Sequence, residues 1–596
     1  MPIKMRIAKV ALPLGLTQEF DYLLGKDMNP SIGSRLLVDF RGKNQVGILT
    51  GIHSTTRIQK IKPVSNVLDS NPALSPENIK FAKKLSTYYP YEQSEFFFMM
   101  LPKYLCKPKK VSINVPAKQK LSEPHKKVFV KAENFKERYD YWHNFAQEKL
   151  KNGSVLVIFP QISLLTEAQK LIEKDFSNVK IIHSYQNEKE LFENWARTRE
   201  KSLILGTRVA LFYYPSDLAL LIIEEENSPY YFQEEKPFYH LFDLAILLTE
   251  TRNLDVIFSA NYPSLYAYNL IKHKKIQLID KGRERAEVKI VNIGEYRRQL
   301  ISPVLVQFLQ KYLALGQRVV ILWNKTGFGS YLACSSCGYI FHCSNCSGFL
   351  KLSLVKNKGI CPYCGAERDI SKTCDLCNSG YIRSSGVGLE KIELILRQIF
   401  PEVKIAEWDF RKPDTQIVLA TSKILGALYT EEKFDNGFLL DADYQMSRLD
   451  YDATFDTYLY IKNLSRMFKE NFYVFTRNKN HYLFELINAE WTGIYEKELE
   501  LRHELMLPPF GTVAKITLRA HNESNLIKRT NELFEKFKAE NVNAHGPLKE
   551  QPYKLRGKFR YSVILKSKDG MELRKIVKKI ITDFRTSHLQ VAAVMR

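Results

Sequence analysis

The chain has 596 residues, of which 45% are hydrophobic and 26% charged, and 88 lysines and arginines against 65 acidic residues give a formal charge of +23. This composition excludes a disordered chain, and the length predicts several domains of roughly 100 to 200 residues each. Polar residues interrupt every apolar stretch before it reaches the ~18 residues of a membrane span, and the N-terminus lacks a signal-peptide pattern. We therefore expect a cytoplasmic protein.

The positive charge is concentrated at the two ends of the chain. Residues 1–110 carry a net charge of +9 and residues 501–596 a net charge of +11, which leaves +3 for everything between them. Two basic ends around a nearly neutral middle indicate two anion-binding modules, with nucleic acid as the favoured anion. The alternative is a pair of solvated basic surfaces that bind no particular ligand.

Residues 1–105 are predicted to form an N-terminal β domain. Short apolar runs alternate with turn residues in IAKVALPLGL, FDYLL, SRLLVDF and NQVGILTGI, which is typical of a small antiparallel barrel, and helical spacing follows in residues 75–100. Residues 106–127 are basic and contain three prolines, so we expect a linker there.

Two α/β lobes are predicted next, over residues 128–284 and 285–480. Strands such as SVLVIFP and LALLIIEEEN alternate with helices in the first lobe, and RVVILWN, TQIVLAT and GFLLDAD do so in the second. This alternation predicts parallel sheets covered by helices, and two such lobes in tandem are typical of a motor ATPase core. Residues 481–596 mix helices with TVAKITLRA and RYSVILKS and are predicted to form an α+β domain.

The phosphate-binding loop that a motor ATPase needs is degraded in lobe 1. A P-loop requires glycines whose bare backbone amides wrap phosphate oxygens, followed by Lys and Ser or Thr. Residues 128–142 read VFVKAENFKERYDYW and contain no glycine, serine or threonine. Lys136 is the remaining candidate for a nucleotide-binding residue, so the sequence disfavours an ATP and magnesium site.

Acidic and basic candidates for ATP hydrolysis are also altered. Glu224, Glu225 and Glu226 follow an apolar strand, where a motor would carry its magnesium-binding and water-orienting carboxylates. Glu225 is the residual catalytic candidate in lobe 1, and Arg466 in YLYIKNLSRMFKENF is the candidate for the arginine that meets the γ-phosphate. The alternative for the three acids is a solvated loop.

Eight of the nine cysteines form four CxxC pairs inside lobe 2. Each CxxC turn directs two thiolates to one face of a loop, so four turns can complete two closed, structural four-cysteine zinc sites. The 14 residues between the two middle pairs favour an inner site from those pairs, within a module of residues 333–379. Disulfides, iron or an iron–sulfur cluster are the alternatives. The inner site is then Cys343, Cys346, Cys361 and Cys364, and the outer site Cys334, Cys337, Cys374 and Cys377.

These landmarks, in this order, resemble those of the primosomal protein N′ (PriA) family of replication restart proteins. The resemblance covers nearly the whole chain and includes VALPLGLTQEFDYLL, GTRVALF, YLACSSCGYIFHCSNC, ELELRHELMLPPFG and LRGKFRYSVILK. It implies two tandem RecA-like helicase lobes with an inserted two-zinc module, an N-terminal β-barrel-like domain that binds 3′ DNA ends, and a C-terminal α+β domain that binds DNA.

The chain also departs from the family's pattern. The glycine-rich P-loop is replaced by VKAENFKE, the DEEH motif by EEEN and the arginine-bearing motif by IKNLSRMFK. The winged helix that normally precedes lobe 1 has no counterpart, and only the linker stands there. All three nucleotide-handling elements are changed together, which favours a core kept as a scaffold.

The resemblance implies two sets of DNA-binding residues. For the first set, the alternative is an ordinary barrel strand whose aromatic rings face the core. For the second set, the alternative is an ordinary strand edge whose charges face solvent. The set for the terminal nucleotide at a 3′ end is Phe20, Asp21, Tyr22 and Lys62. The set for backbone phosphates is Arg556, Lys558 and Arg560. The partners that the family implies are single-stranded-DNA-binding protein, primosome proteins and the replicative helicase.

Three hypotheses for the function follow. The leading one is a replication restart protein that recognises branched DNA at stalled forks and helps reload the replicative helicase, without helicase activity of its own. The second is an active ATP-dependent 3′-5′ DNA helicase of the same family with a divergent nucleotide site. The third is a zinc-dependent nucleic-acid-binding adaptor.

Overall fold

A computed structural model of the chain divides into two compact units. The first contains Met1–Gly282 with Arg574–Lys578, and the second contains Arg283–Leu573 with Lys579–Arg596. In the described part of the chain, no helix is both long and apolar enough to cross a membrane. The residues that the structure describes are 5–14, 18–56, 58, 60–112, 125–197, 201–282, 287–296, 299–323, 330–337, 339–346, 348–353, 358–361, 364–369, 373–386, 389–408, 415–429, 433–448, 450–584 and 589–595.

An antiparallel sheet begins the first unit. Its strands and the two helices that follow are β1 (Ile7–Ala11), β2 (Phe20–Leu23), β3 (Arg35–Phe40), β4 (Lys43–His53), β5 (Val64–Val67), α1 (Pro76–Tyr88) and α2 (Gln93–Met99). The strand order is β2-β1-β4-β3-β5. An isolated β-bridge between Leu23, at the end of β2, and Pro63, just before β5, links the two edges of the sheet. The predicted barrel is therefore a half-barrel. Residues 113–124 of the predicted linker lie outside the described residues.

Lobe 1 is a seven-stranded parallel sheet with helices between its strands. The elements are β6 (Lys127–Lys131), α3 (Phe135–Asn152), β7 (Ser154–Ile158), α4 (Ile162–Ile172), β8 (Val179–Ile182), α5 (Glu188–Arg197), β9 (Leu203–Gly206), β10 (Leu218–Glu224), α6 (Leu241–Thr251), β11 (Asp255–Ala260), α7 (Leu265–Lys272) and β12 (Gln277–Asp280). The order is β12-β6-β11-β10-β7-β9-β8. Every residue of the central strand β10 is buried, as expected for a strand covered on both faces.

Lobe 2 opens the second unit and is interrupted by the cysteine-rich module. Its first elements are β13 (Val288–Asn292), α8 (Pro303–Ala314) and β14 (Val319–Leu322). The module contributes β15 (Ser330–Cys334), β16 (Lys351–Ser353), β17 (Lys358–Ile360), β18 (Glu367–Asp369) and β19 (Ile382–Gly386). Strands β15 and β19 pair antiparallel and form a stem, whereas β16, β17 and β18 form a small sheet of their own.

The remainder of lobe 2 completes a parallel sheet around β14. These elements are α9 (Leu389–Ile399), β20 (Ile405–Glu407), β21 (Ile417–Ala420), β22 (Phe434–Leu439), α10 (Asp443–Met446), α11 (Ala453–Ser465), β23 (Phe468–Thr476), α12 (Tyr482–Leu486) and α13 (Thr492–Glu504). The order β13-β23-β22-β14-β21-β20 places β14 between two strands that come after the module in sequence. The module is thus an insertion into a continuous sheet.

The C-terminal domain is an antiparallel sheet with two helices. Its elements are β24 (Thr512–Ala520), α14 (Glu523–Ala539), β25 (Asn543–Leu555), β26 (Lys558–Ser567), α15 (Gly570–Phe584) and β27 (Gln590–Met595), in the strand order β25-β26-β24-β27. Strand β24 alternates buried Ala514, Ile516 and Leu518 with more polar neighbours, so one face carries the core. Two lobes with parallel sheets, an inserted cysteine module and two terminal domains agree with the predicted fold class.

Candidate functional site

The carboxyl end of β10 meets the first turns of α3 at the centre of the lobe 1 sheet. Glu224, the last residue of β10, is 1% exposed. Helix α3 begins soon after β6 because the Asn134 side chain accepts a hydrogen bond from the N–H of Glu137. This start places Arg138 and Trp142, four residues apart, on the helix face that meets β10, and both side chains are fully buried.

Arg138 and Trp142 donate to both oxygens of the Glu224 carboxylate. Nε of Arg138 lies 2.9 Å from Oε2, and the indole Nε1 of Trp142 lies 2.9 Å from Oε1. A second nitrogen of Arg138, Nη2, donates to Oε1 of Glu225 at 2.6 Å. Burial raises the pKa of Glu224, and the Arg138 charge opposes that shift. An internal, buried ion pair therefore stands where a motor would bind magnesium and water.

Sequence reasoning missed both partners of Glu224. Arg138 and Trp142 both belong to α3, the helix that replaces the P-loop. The available signal was their spacing, Arg-x-x-x-Trp, which places both side chains on one face of a helix. The solvated-loop interpretation of the three acids is wrong for Glu224 and Glu226, which are each 1% exposed. Lys136 lies exposed in the first turn of α3.

Arg466, the candidate in lobe 2, directly follows the last residue of α11. Its side chain is buried at 8% exposure within the second unit. Its role in hydrolysis stays a prediction.

Glu226 joins the end of β10 to the start of α7. Its Oε2 accepts the backbone N–H of Ser264 at 2.9 Å, and the Ser264 hydroxyl lies 2.6 Å from Oε1. Burial raises the pKa of Glu226 to about 7, although the two bonds to Ser264 oppose the shift. The carboxyl group is therefore largely protonated in the folded protein under mildly acidic conditions.

The raised pKa of Glu226 predicts a pH-dependent stability. The folded state holds this proton up to about pH 7, whereas the unfolded chain releases it near pH 4.5, so the stabilisation present at low pH is lost as pH rises between these values. The loss amounts to about 3 kcal/mol. Urea unfolding of Glu226→Gln should show a smaller decline in stability from pH 5 to pH 8 than the parent chain. Glu193→Gln, at an exposed position in α5, is the control, and identical pH profiles for Glu226→Gln and the parent chain would contradict the assignment.

The eight paired cysteines gather into two groups of four. Within each group, one sulfur atom from every residue lies within 4.8 Å of the others. The closest cross-pair sulfur distances are 3.6 and 3.7 Å in the outer group and 3.6 and 3.2 Å in the inner group. The outer group is Cys334, Cys337, Cys374 and Cys377, and the inner group is Cys343, Cys346, Cys361 and Cys364.

The geometry of both groups suits a tetrahedral metal ion. Four sulfurs at ~2.3 Å from a central ion are about 3.8 Å apart, close to the separations here and far from the ~2.05 Å of a disulfide. Residues with positive φ follow the second CxxC of each group, Gly365 at 71° and Asn378 at 55°, and turn the chain back tightly. Backbone N–H groups of Gly348 and Leu376 point at Cys346 and Cys374 sulfurs, each at 3.4 Å, which favours thiolates.

The residues predicted for a 3′ end lie on and beside β2. Phe20 packs edge-on against Phe40, and Tyr22 is 4% exposed in the half-barrel core with its hydroxyl donating to the Asp39 carbonyl oxygen. Both rings therefore face the core side of β2, while Asp21 lies on its other face.

Asp21 and Lys62 have separate partners at the surface. Asp21 accepts a hydrogen bond from Oγ1 of Thr56 at 2.7 Å and lies 3.4 Å from Nε2 of His53. Lys62 donates to Oδ1 of Asp39 at 2.8 Å, and this bond lowers the pKa of Asp39. The two predicted residues are thus not in contact with each other.

The predicted phosphate contacts lie at the tip of the β25–β26 hairpin and just beyond it. Arg556 and Gly557 form its two-residue turn, with φ values of 50° and 76°, which the type I′ geometry requires. The N–H of Gly557 donates to the Asn345 carbonyl oxygen at 3.4 Å, and Leu555 packs against the core of the inner cysteine group. Lys558 begins β26, and Arg560 follows two residues later on the same face.

Two family models match the ends of the chain, and curated relatives match most of its length. A family model described as the 3′ DNA-binding domain (3′BD) of PriA matches residues 9–102, and one described as the primosomal protein N C-terminal domain matches residues 503–593. The chain is 24% identical to the replication restart protein PriA of Rickettsia conorii over 96% of each chain. It is 26% identical to that of Borreliella burgdorferi over 71% of this chain and 69% of the relative, and 25% identical to that of Bacillus subtilis over 75% and 60%.

A solved structure of RecG bound to a three-way DNA junction aligns with 71% of this chain and 46% of its own, at 11% identity and a TM-score of 0.33. The matched domains at both ends and the similarity along nearly the full length support a PriA-like replication restart protein.

Proposed function

We propose that this protein recognises branched DNA at stalled replication forks and supports reloading of the replicative helicase without acting as a motor. The observation that carries the proposal is the internal ion pair of lobe 1. Both oxygens of Glu224 are engaged by Arg138 and Trp142, and Arg138 neutralises the carboxylates that magnesium would need as ligands. Residues 128–142 also lack the glycines with which a P-loop holds the phosphates of ATP.

DNA recognition is proposed to use both terminal domains. The matched 3′ DNA-binding domain and the net charges of +9 and +11 at the two ends support this division. Asp21 would accept the hydrogen bond of a terminal 3′-hydroxyl, and the exposed Lys62 would contribute charge nearby. Phe20 and Tyr22 would support this surface from the core side of β2. Arg556, Lys558 and Arg560 would contact phosphates.

The two cysteine groups are proposed to hold one Zn²⁺ each. Zinc suits a closed set of four thiolates, and such a site supplies structure and no catalysis. In the described part of the module, the core around the inner group contains few apolar residues, among them Leu332, Phe341 and Leu350, so metal binding would provide much of its stability.

The domain plan follows from these assignments. We propose the 3′-end domain at residues 1–105, the linker at 106–127, the lobes at 128–284 and 285–480, the zinc module at 333–379 and the C-terminal DNA-binding domain at 481–596. Single-stranded-DNA-binding protein, primosome proteins and the replicative helicase are the proposed partners, in the cytoplasm.

The test combines fork binding with ATP hydrolysis in one zinc-loaded sample. We expect the protein to bind a fluorescent model fork tightly by anisotropy, with affinity falling steeply as salt rises, and to hydrolyse ATP no faster than a no-protein blank. Fork-stimulated hydrolysis that disappears in Glu225→Ala would replace the proposal with an active helicase. Equal affinity for forks and RNA hairpins at the same salt would replace it with an RNA-tolerant adaptor.

A further inference from the structure

Two arginines face each other on the C-terminal sheet. Arg519 of β24 lies directly opposite Arg560 of β26 in the antiparallel ladder. The adjacent pair, Leu518 and Tyr561, is buried, and the Tyr561 hydroxyl reaches Glu523 of α14, so that pair belongs to the helix-covered face. Because side chains alternate along a strand, Arg519 and Arg560 occupy the opposite face.

The charges around this pair are unbalanced. Glu550 lies 2.8 Å from Lys515 and 3.5 Å from Arg560, so one carboxylate serves two cations. Burial lowers the pKa of Arg519, and the nearby charge of Arg560 adds to this effect. Like charges directly opposite each other in a sheet are destabilising, so the fold holds this pair at a cost.

Both guanidinium groups also keep an unused donor. Among the described residues, the buried Nε atoms of Arg519 and Arg560 have no hydrogen-bond partner. Arg560 uses its other nitrogens for the Pro552 carbonyl oxygen and Glu550, and its side chain is only 14% exposed. Each guanidinium group therefore has an unsatisfied donor, and the pair carries excess positive charge.

We propose that Arg519 and Arg560 bind one phosphate group of a nucleic-acid backbone. Guanidinium groups match phosphate oxygens with paired N–H donors, and a bound phosphate would remove the repulsion between the two arginines. Lys558 continues the row of cations on the same face of β26, so the surface suits a chain of repeated phosphates better than a single peptide carboxylate. The inference rests on the proposed function and adds Arg519 to it as a residue that the family resemblance did not supply.

The experiment compares Arg519→Gln with Lys538→Gln, which removes the same charge from an exposed position on α14. Arg519→Gln should weaken fork binding about tenfold and lower the slope of log Kd against log salt by about one, whereas Lys538→Gln should change Kd less than twofold. Arg519→Lys keeps the charge but not the paired donors, so it should recover only part of the affinity. The melting temperature of free Arg519→Gln should equal or exceed that of the parent chain, because like-charge repulsion is relieved.

Inorganic pyrophosphate tests the site without DNA. It should raise the melting temperature of the parent chain more than that of Arg519→Gln. Equal loss of fork affinity in the two Gln variants, or a lower melting temperature for free Arg519→Gln, would overturn the proposal. Weakened binding of an acidic peptide with unchanged fork binding would also overturn it, in favour of a carboxylate site. If the parent chain binds no fork, the proposed function fails, and the pyrophosphate comparison still decides whether the anion site exists.

Discussion

Replacing Arg138 by alanine is expected to destabilise lobe 1 by about 3–5 kcal/mol, because it leaves buried Glu224 without its cation. Urea unfolding of the full chain measures the loss. Lys136→Ala, two residues earlier on the exposed side of α3, is the matched control and should change stability by about 0.5 kcal/mol or less. Unchanged stability in Arg138→Ala would mean that the ion pair does not hold the lobe together.

A double substitution separates the ion pair from simple packing. In Arg138→Met with Glu224→Gln, no buried charge remains on either side chain, and the Gln oxygen can still accept the indole N–H of Trp142. The double variant should therefore be more stable than Arg138→Ala, and the two positions should show strong non-additivity in a cycle. Neither variant should gain ATP hydrolysis, because the segment after β6 still lacks glycine. A gain of hydrolysis would show that the arginine blocks an otherwise competent site.

Replacing Cys361 by serine is expected to reduce the metal content of the zinc-loaded protein from two ions per chain, one in each proposed site, to one and to unfold the inner part of the module. Structural zinc contributes on the order of 10 kcal/mol to modules of this size, and Cys361 is buried at 1% exposure in the module core. Because Leu555 packs on that core and Gly557 bonds to Asn345 between two of the ligands, amide hydrogen exchange at the β25–β26 turn should also accelerate.

Two further cysteine variants make this result specific. Cys337→Ser should also lose one zinc, but from the outer group, and should leave exchange at the β25–β26 turn unchanged. Cys106→Ser, at an exposed cysteine outside both groups, should retain two zinc ions. Retention of two ions by Cys361→Ser would refute the ligand assignment, and equal effects of the two ligand variants on the turn would refute the docking of the turn on the inner group.

The cysteine groups and the sheets could be predicted because their signals are local. A CxxC turn joins two ligands within four residues, and the run LALLIIE reports a strand buried on both faces. The contact of Arg138 with Glu224 could not be predicted in the same way, since 86 positions separate the two residues and only the sheet order brings them together. In the sequence, helix α3 is recognisable only as a segment that lacks the glycines of a P-loop. Its hydrogen bonds to Glu224 and Glu225 are visible only in the structure.

The residues proposed to bind DNA in the N-terminal and C-terminal domains show the same limit of prediction from sequence. Alternation places Phe20 and Tyr22 on one face of β2, but the sequence does not say which face meets the core. The opposition of Arg519 and Arg560 depends on the register of two strands separated by α14 and β25. Register is set by long-range pairing, so it is not visible in the residues of either strand alone.

The antiparallel stem of the cysteine module has a consequence for how lobe 2 folds. Strands β14 and β21 are neighbours in the sheet, although the whole module separates them in sequence. Pairing of Ser330 with Gly386 across the stem brings the ends of the insertion together, and Cys334 of the outer group sits on the stem itself. Once metal has closed the stem, the 94 residues between β14 and β21 act as a loop of about 39 residues, which lowers the free energy of loop closure by ~0.8 kcal/mol. Metal loading before the lobe 2 sheet assembles is therefore expected to speed its folding by a few-fold, so that a chain starved of metal would fold its second lobe more slowly.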